Sequence, residues 1–91
     1  MYLHLGKDIS VPIESIIGVF DMDTSTGSKY TRDFLNAAER EGRLVVVTDE
    51  LPKSAVVCQE HSGVMVYICQ LSAKTLEKRV NNNNTDLESF I

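Results

Sequence analysis

Basic side chains at two places in the sequence could hold phosphate groups. Lys29 and Arg32 are three residues apart in a segment with helical periodicity, which places both on one face of a helix. Lys53 is the single basic residue in the turn-like stretch "DELPK". Because lysine and arginine bind phosphate oxygens, double-stranded DNA is a candidate partner for all three residues. Acidic residues are interleaved at both places, so an ordinary solvated surface is the alternative interpretation.

The acidic and imidazole side chains do not have the spacing of a metal site. A calcium loop that began at Asp21 would need glycine at its sixth position and glutamate at its twelfth, where the chain has Thr26 and Arg32. His4 and His61 are the only imidazoles, and neither has a cysteine at the spacing of a zinc site. The sequence therefore predicts no metal and no cofactor.

Patterns for catalysis are also incomplete. Cys58 has His61 nearby in sequence as a base, but nothing supplies the third group that would orient the base or an oxyanion site. The stretch "TGSKYT" lacks the first glycine of a phosphate-binding loop, because Met22 occupies that position. We therefore expect that the chain is not an enzyme.

Size and composition predict one small cytoplasmic domain. The 91 residues carry a net charge of −4, which is unusual for a nucleic-acid-binding protein and lowers the expectation of tight DNA binding. Apolar runs are too short to cross a bilayer, and the N-terminus lacks the features of a signal peptide, so no membrane partner is expected. Cys58 and Cys69 lie in apolar runs and should be buried and reduced.

The periodicity predicts an α+β domain with a five-stranded, mainly antiparallel sheet and two helices, in the order ββαβββα. Residues 1–5 and 15–22 are the first two strands, and Pro12 places the segment between them at an edge or in a bend. A helix follows over 28–41, capped by Ser25 or Thr26 and ended by Gly42. Its predicted apolar face consists of Tyr30, Phe34, Ala37 and Ala38.

Three further strands, "RLVVVT", "SAVVCQ" and "VMVYICQ", are predicted to be joined by two short hairpin turns. The second helix begins at Ser72 and is expected to end before the asparagine run that starts at residue 81. Residues 1–80 are thus the predicted domain, and 81–91 are an Asn-rich linker and a flexible C-terminal tail.

These three strands are apolar without alternation, so both of their faces should be covered. Two helices can cover one face of a five-stranded sheet, and too little chain remains to cover the other. The sequence therefore predicts a homo-oligomer in which neighbouring subunits cover that face. The alternative is a sheet with a few exposed valines.

Residues 1–80, and most specifically "LGKDISVP", "TSTGSKYTRDFL" and "LPKSAVVC", resemble the extracellular matrix regulator family RemA and RemB, and are most similar to its RemB branch. The resemblance implies a fold related to the LytTR DNA-binding type, assembly into rings and a role in switching on genes for the biofilm matrix. In the RemA branch the turn before the fourth strand is arginine-rich and is taken to contact DNA.

At the corresponding turn this chain has Leu51, Pro52, Lys53 and Ser54, and Ser15 replaces a further basic position. A lysine supplies one point charge, whereas an arginine supplies a planar fork that can bind a phosphate or a guanine edge. Two hypotheses remain open. The chain is either an oligomeric transcriptional regulator that binds DNA weakly, or an oligomeric scaffold that acts through protein partners or a RemA-like paralogue.

Overall fold

The computed structural model describes residues 1–22 and 29–88, with side chains as far as residue 81. Over these residues the chain has the predicted α+β class, with two α-helices, but six strands form two sheets instead of one. The predicted caps at Ser25 and Thr26 lie outside the described residues.

The first sheet is an antiparallel hairpin of β1 (Tyr2–Gly6) and β2 (Ile9–Pro12). A two-residue turn joins these strands, and Lys7 in that turn has a positive φ of 49°. Gly6 has a φ of 146°, and a Cβ atom there would lie 3.3 Å from the carbonyl oxygen of Val47, so both conformation and packing favour glycine. The strand β2 was missing from the sequence prediction.

A short 3-10 helix, Ile13–Ser15, leads from this hairpin into β3 (Ile16–Asp21) of the second sheet. The remaining elements follow in chain order: α1 (Lys29–Arg40), β4 (Leu44–Val46), β5 (Ser54–Glu60), β6 (Gly63–Cys69) and α2 (Ala73–Glu88). The strand order in the second sheet is β3-β5-β6-β4. β3 and β6 are antiparallel to β5, whereas β4 is parallel to β6.

One of the two predicted hairpin connections is therefore wrong. β5 and β6 do form a hairpin through the turn at residues 61–62, but β4 lies on the far side of β6 from β5. The segment 47–53, which we call the crossing loop, passes over the end of β6 to reach β5. Strands lie about 4.8 Å apart, so seven residues are ample to cross one strand.

The end of α1 and the start of α2 lie where the local sequence predicts them. At the end of α1, Gly42 has a φ of 72° and donates its N–H to the Glu39 carbonyl, while Arg43 donates to Ala38. This pair of bonds is a Schellman motif. At the start of α2 the Ser72 hydroxyl accepts the Thr75 N–H at 3.1 Å. The α2 backbone continues to Glu88, past the asparagine run where the helix was predicted to end.

The four-stranded sheet is covered on both faces by its own chain. On one face, α1 packs Phe34, Leu35 and Ala38 against a cluster that contains Ala55, Val57, Val66 and Ile68. On the other face, the β1–β2 hairpin and Leu76 of α2 pack against a cluster that contains Val56, Cys58, Tyr67 and Cys69. The expectation that another subunit must cover one face is therefore wrong, because the hairpin supplies the missing cover.

Two smaller predictions about burial have opposite outcomes. Cys58 and Cys69 are buried and free, as predicted. Tyr30, in contrast, was assigned to the apolar face of α1, and its side chain is 86% exposed. It lies in the first turn of the helix, whereas the helical side chains that pack against the sheet come from the following turns.

Candidate contact surface at one end of the sheet

The crossing loop is fixed at both of its ends by backbone hydrogen bonds to β6. The N–H of Val47 donates to the carbonyl of Ile68 at 2.8 Å, and the N–H of Lys53 donates to the carbonyl of Cys69 at 2.9 Å. Lys53 also accepts a bond from the N–H of Met22 at 2.9 Å, just beyond β3. The side chain of Lys53 is exposed. The backbone of this residue therefore joins β3 and β6 at the base of the loop.

Thr48 fixes the conformation of the loop from inside. Its side chain is buried, and its hydroxyl donates to the side-chain oxygen of Gln70 at 2.6 Å. The same hydroxyl accepts the N–H of Glu50 at 3.0 Å. A threonine two residues before a backbone donor stabilises a tight turn in this way. The loop therefore presents Asp49, Glu50 and Leu51 to solvent in one defined arrangement.

The outer part of the loop is apolar at its centre and electrically balanced. Leu51 is 80% exposed, although it is a large apolar side chain. Lys7, from the β1–β2 turn, forms a 3.0 Å salt bridge with Asp49. With Lys53, the loop and its neighbour contribute two positive and two negative side chains. An exposed ion pair adds at most about 1 kcal/mol to stability, so its main effect here is to cancel charge.

Lys29 and Arg32 are both exposed in the first turn of α1. β3 ends at the end of the sheet where Lys53 lies. β4 begins opposite the middle of β6 and runs towards that same end. α1 connects these strands, so it runs in the opposite direction, with its first turn towards the end of the sheet that carries Lys53. The connectivity thus places the three predicted cations at one end of the molecule, which we call the loop end.

At the other end of α1, Arg43 is engaged in hydrogen bonds within the chain and is a weaker candidate for a DNA contact. Arg43 is half-buried, and its guanidinium group donates to the carbonyl of Val64 at 2.8 Å and to Glu41 at 2.6 Å. This hydrogen bond and the positive charge of Arg43 lower the pKa of Glu41. Arg43 is therefore a structural residue. Arg40 is exposed.

The described residues offer no constellation for metal chemistry, since none of their His, Cys, Asp and Glu side chains form a group of three that could hold an ion. Cys58 does not resemble an activated nucleophile either. Burial raises the pKa of its thiol, a hydrogen bond with the Ser15 hydroxyl partly offsets this rise, and the charge of Glu60 adds a smaller increase. A thiol in this environment stays protonated and unreactive.

Comparison with known proteins gives the family. Residues 2–80 match the family model described as "Extracellular matrix regulatory protein A-like", abbreviated RemA-like. The chain belongs to the RemA-like family. It is also 34% identical over 79 residues to extracellular matrix regulatory protein B of Bacillus subtilis strain 168. That alignment covers 87% of this chain and 89% of the Bacillus protein. The family resemblance seen in the sequence is therefore confirmed, and the family name indicates regulation of the extracellular matrix.

Two features of this RemA-like chain were not apparent from its sequence. The exposure of Leu51 could have been suspected, because the residue lies between two acidic residues and a proline in a turn. The salt bridge between Lys7 and Asp49 joins positions 42 residues apart, which no local pattern indicates.

Within the described ranges, neither α-helix combines the length and the apolar character that a membrane span requires.

Proposed function

We propose that this chain is an oligomeric regulator of extracellular matrix gene expression in the cytoplasm, and that it binds double-stranded DNA weakly through its loop end. Membership of the RemA-like family supports the role in matrix regulation. The proposed DNA contact is supported by the exposure of Lys53, Lys29 and Arg32 and by strand directions that bring the first turn of α1 towards the end of the sheet near Lys53.

The charge at the loop end supports weak binding. Each lysine or arginine that neutralises a phosphate releases a counterion, and this release supplies most of the non-specific affinity for DNA. Two or three such contacts per subunit give little affinity, and Asp49, Glu50 and Asp33 nearby oppose it. Useful affinity therefore requires that several copies bind the same DNA at once.

The edges of the sheet support an oligomer. The sequence had instead suggested that subunits contact one another across a sheet face. β3 and β4 are the two edge strands. Ile17 on β3 is 61% exposed, and Val46 on β4 is 57% exposed. Exposed apolar side chains on an edge strand favour pairing with another chain. Because the two edges differ, a contact of β3 on one copy with β4 on the next is heterologous, and such contacts can close into a ring.

A scaffold that does not bind DNA is the second candidate, and Leu51 favours it. An exposed leucine at the centre of an electrically balanced loop is better suited to a protein surface than to a phosphate backbone. The salt bridge between Lys7 and Asp49 engages a lysine that could otherwise bind DNA. In this case the loop end contacts a protein partner or a RemA-like paralogue.

Fluorescence anisotropy with a labelled random-sequence DNA duplex, at salt concentrations from about 20 to 200 mM, separates the candidates. The proposal predicts binding at low salt that weakens steeply as salt is added. Variants Lys53→Glu and Leu51→Ser should then be compared in a matrix-gene reporter strain. If the wild type shows no binding at any salt concentration, while Leu51→Ser abolishes reporter activity, the scaffold function is supported and DNA binding is excluded.

A further inference from the structure

A groove lies between the β1–β2 hairpin and the turn that joins β5 to β6. Its volume is about 710 Å³, which is within the usual range for ligand sites. β5 has seven residues, and the crossing loop is at its other end. At about 3.3 Å per residue the groove is roughly 20 Å from the loop end. A ligand bound in the groove would therefore leave the loop end free.

Glu60 supplies the negative charge of this groove. The Tyr67 hydroxyl donates to Oε2 of Glu60 at 2.5 Å, which fixes the orientation of the carboxylate. An ionised carboxylate can accept several hydrogen bonds, so Glu60 retains acceptor capacity for a ligand. Among the residues lining the groove, which all belong to the described part of the chain, there is no lysine or arginine. The groove thus offers an oriented carboxylate with no lysine or arginine in its lining, and the lining also includes the imidazole of His61.

The opposite wall of the groove comes from the hairpin and is partly aromatic. Tyr2 lines the groove and is 67% exposed, so its ring is accessible to a ligand. Pro12 and Val11 extend this apolar wall, and the Ser10 hydroxyl adds a polar group. A guanidinium group suits this combination, because it is planar, stacks on aromatic rings and donates several hydrogen bonds to a carboxylate.

We propose that this groove binds an arginine side chain of a protein partner, with Glu60 accepting its N–H groups and the ring of Tyr2 packing against its plane. The groove is much larger than one guanidinium group, so it has room for the residues on either side of the arginine. This favours a protein segment over a small free cation. The proposal does not depend on DNA binding, since it concerns the other end of the molecule.

A titration of the full-length chain with peptides tests the proposal. The ¹⁵N-labelled protein is titrated with the capped peptide Gly-Gly-Arg-Gly-Gly and with the same peptide carrying citrulline, which has the shape of arginine without its charge. The arginine peptide should shift the amide signals of Glu60, His61 and Tyr67 in a saturable manner. The citrulline peptide should bind at least about tenfold more weakly. Putrescine, a free diamine, should also bind at least about tenfold more weakly, because it cannot stack.

Three variants complete the experiment. Glu60→Gln can still accept the Tyr67 hydrogen bond and should fold, but it should weaken the arginine peptide about tenfold. Tyr2→Ala, at an exposed position, should weaken it a few-fold. Glu14→Gln removes an exposed carboxylate outside the groove and should leave binding unchanged. Equal binding of the citrulline peptide, equally tight binding of putrescine, or full binding by Glu60→Gln would each overturn the proposal.

Discussion

The Tyr67 hydroxyl donates a 2.5 Å hydrogen bond to the carboxylate of Glu60, which joins the middle of β6 to the end of β5. Burial raises the pKa of Tyr67 well above its ordinary value, and the hydrogen bond and charge of Glu60 raise it further. The phenol therefore remains protonated in the folded protein at alkaline pH.

This relationship predicts alkaline sensitivity. Below the pKa of an unfolded tyrosine, about 10, the phenol is protonated in both states and the bond stabilises the fold. Above about pH 10 only the unfolded state loses the proton, so stability should fall as pH rises. Urea unfolding between pH 8 and 11 should show a smaller decline for Tyr67→Phe than for the wild type. Tyr30→Phe, at an exposed position, should behave like the wild type, and equal slopes for all three proteins would refute the assignment.

The cover of the sheet by α2 gives a second prediction. Leu76 of α2 is fully buried against the sheet face that the β1–β2 hairpin also covers, so Leu76→Ala should lower the free energy of unfolding by about 2 to 5 kcal/mol. Lys74→Ala changes an exposed residue on the same helix and should cost less than about 0.5 kcal/mol. Chemical denaturation monitored by circular dichroism measures both values. A Leu76→Ala effect as small as that of Lys74→Ala would mean that α2 does not cover this face.

The edge strands give a third prediction. Light scattering at micromolar concentration should show a mass several times the 10.2 kDa of one chain. Ile17→Lys places a charge on the edge β3 and should shift the protein towards smaller species. Tyr30→Lys also replaces an exposed apolar residue, but on α1, and should not change the mass. A wild type that is monomeric at this concentration would contradict both the oligomer and the avidity that weak DNA binding requires.

The local sequence was sufficient to predict the elements whose signals are also local. Gly42 ends α1 and Ser72 caps α2 because each acts through backbone bonds within a few residues. Strand pairing depends on distant partners. β2 was not predicted as a strand because Pro12 indicated an edge or a bend without deciding between them, and the structure has Pro12 as the last residue of an edge strand.

Turn residues also cannot show whether two consecutive strands are neighbours in the sheet or have another strand between them. Here β6 lies between β4 and β5, and the crossing loop passes over it. At the candidate site, the exposure of Lys53, Lys29 and Arg32 agrees with their charge. The sequence could not show that Arg43 is committed to Val64 and Glu41, because the carbonyl it binds is 21 residues away.

The central claim, that the loop end binds DNA, is tested most directly by the salt dependence of binding in charge-reversal variants. In anisotropy titrations, Lys53→Glu should weaken binding and reduce the slope of log K against log salt by about one unit for each lysine engaged. The double variant Lys29→Glu with Arg32→Glu should act in the same way. Lys78→Glu, an exposed lysine on α2, is the matched control and should retain the wild-type slope. If the wild type binds and neither Lys53→Glu nor the double variant reduces the slope, the loop end is not the DNA surface and the account is wrong.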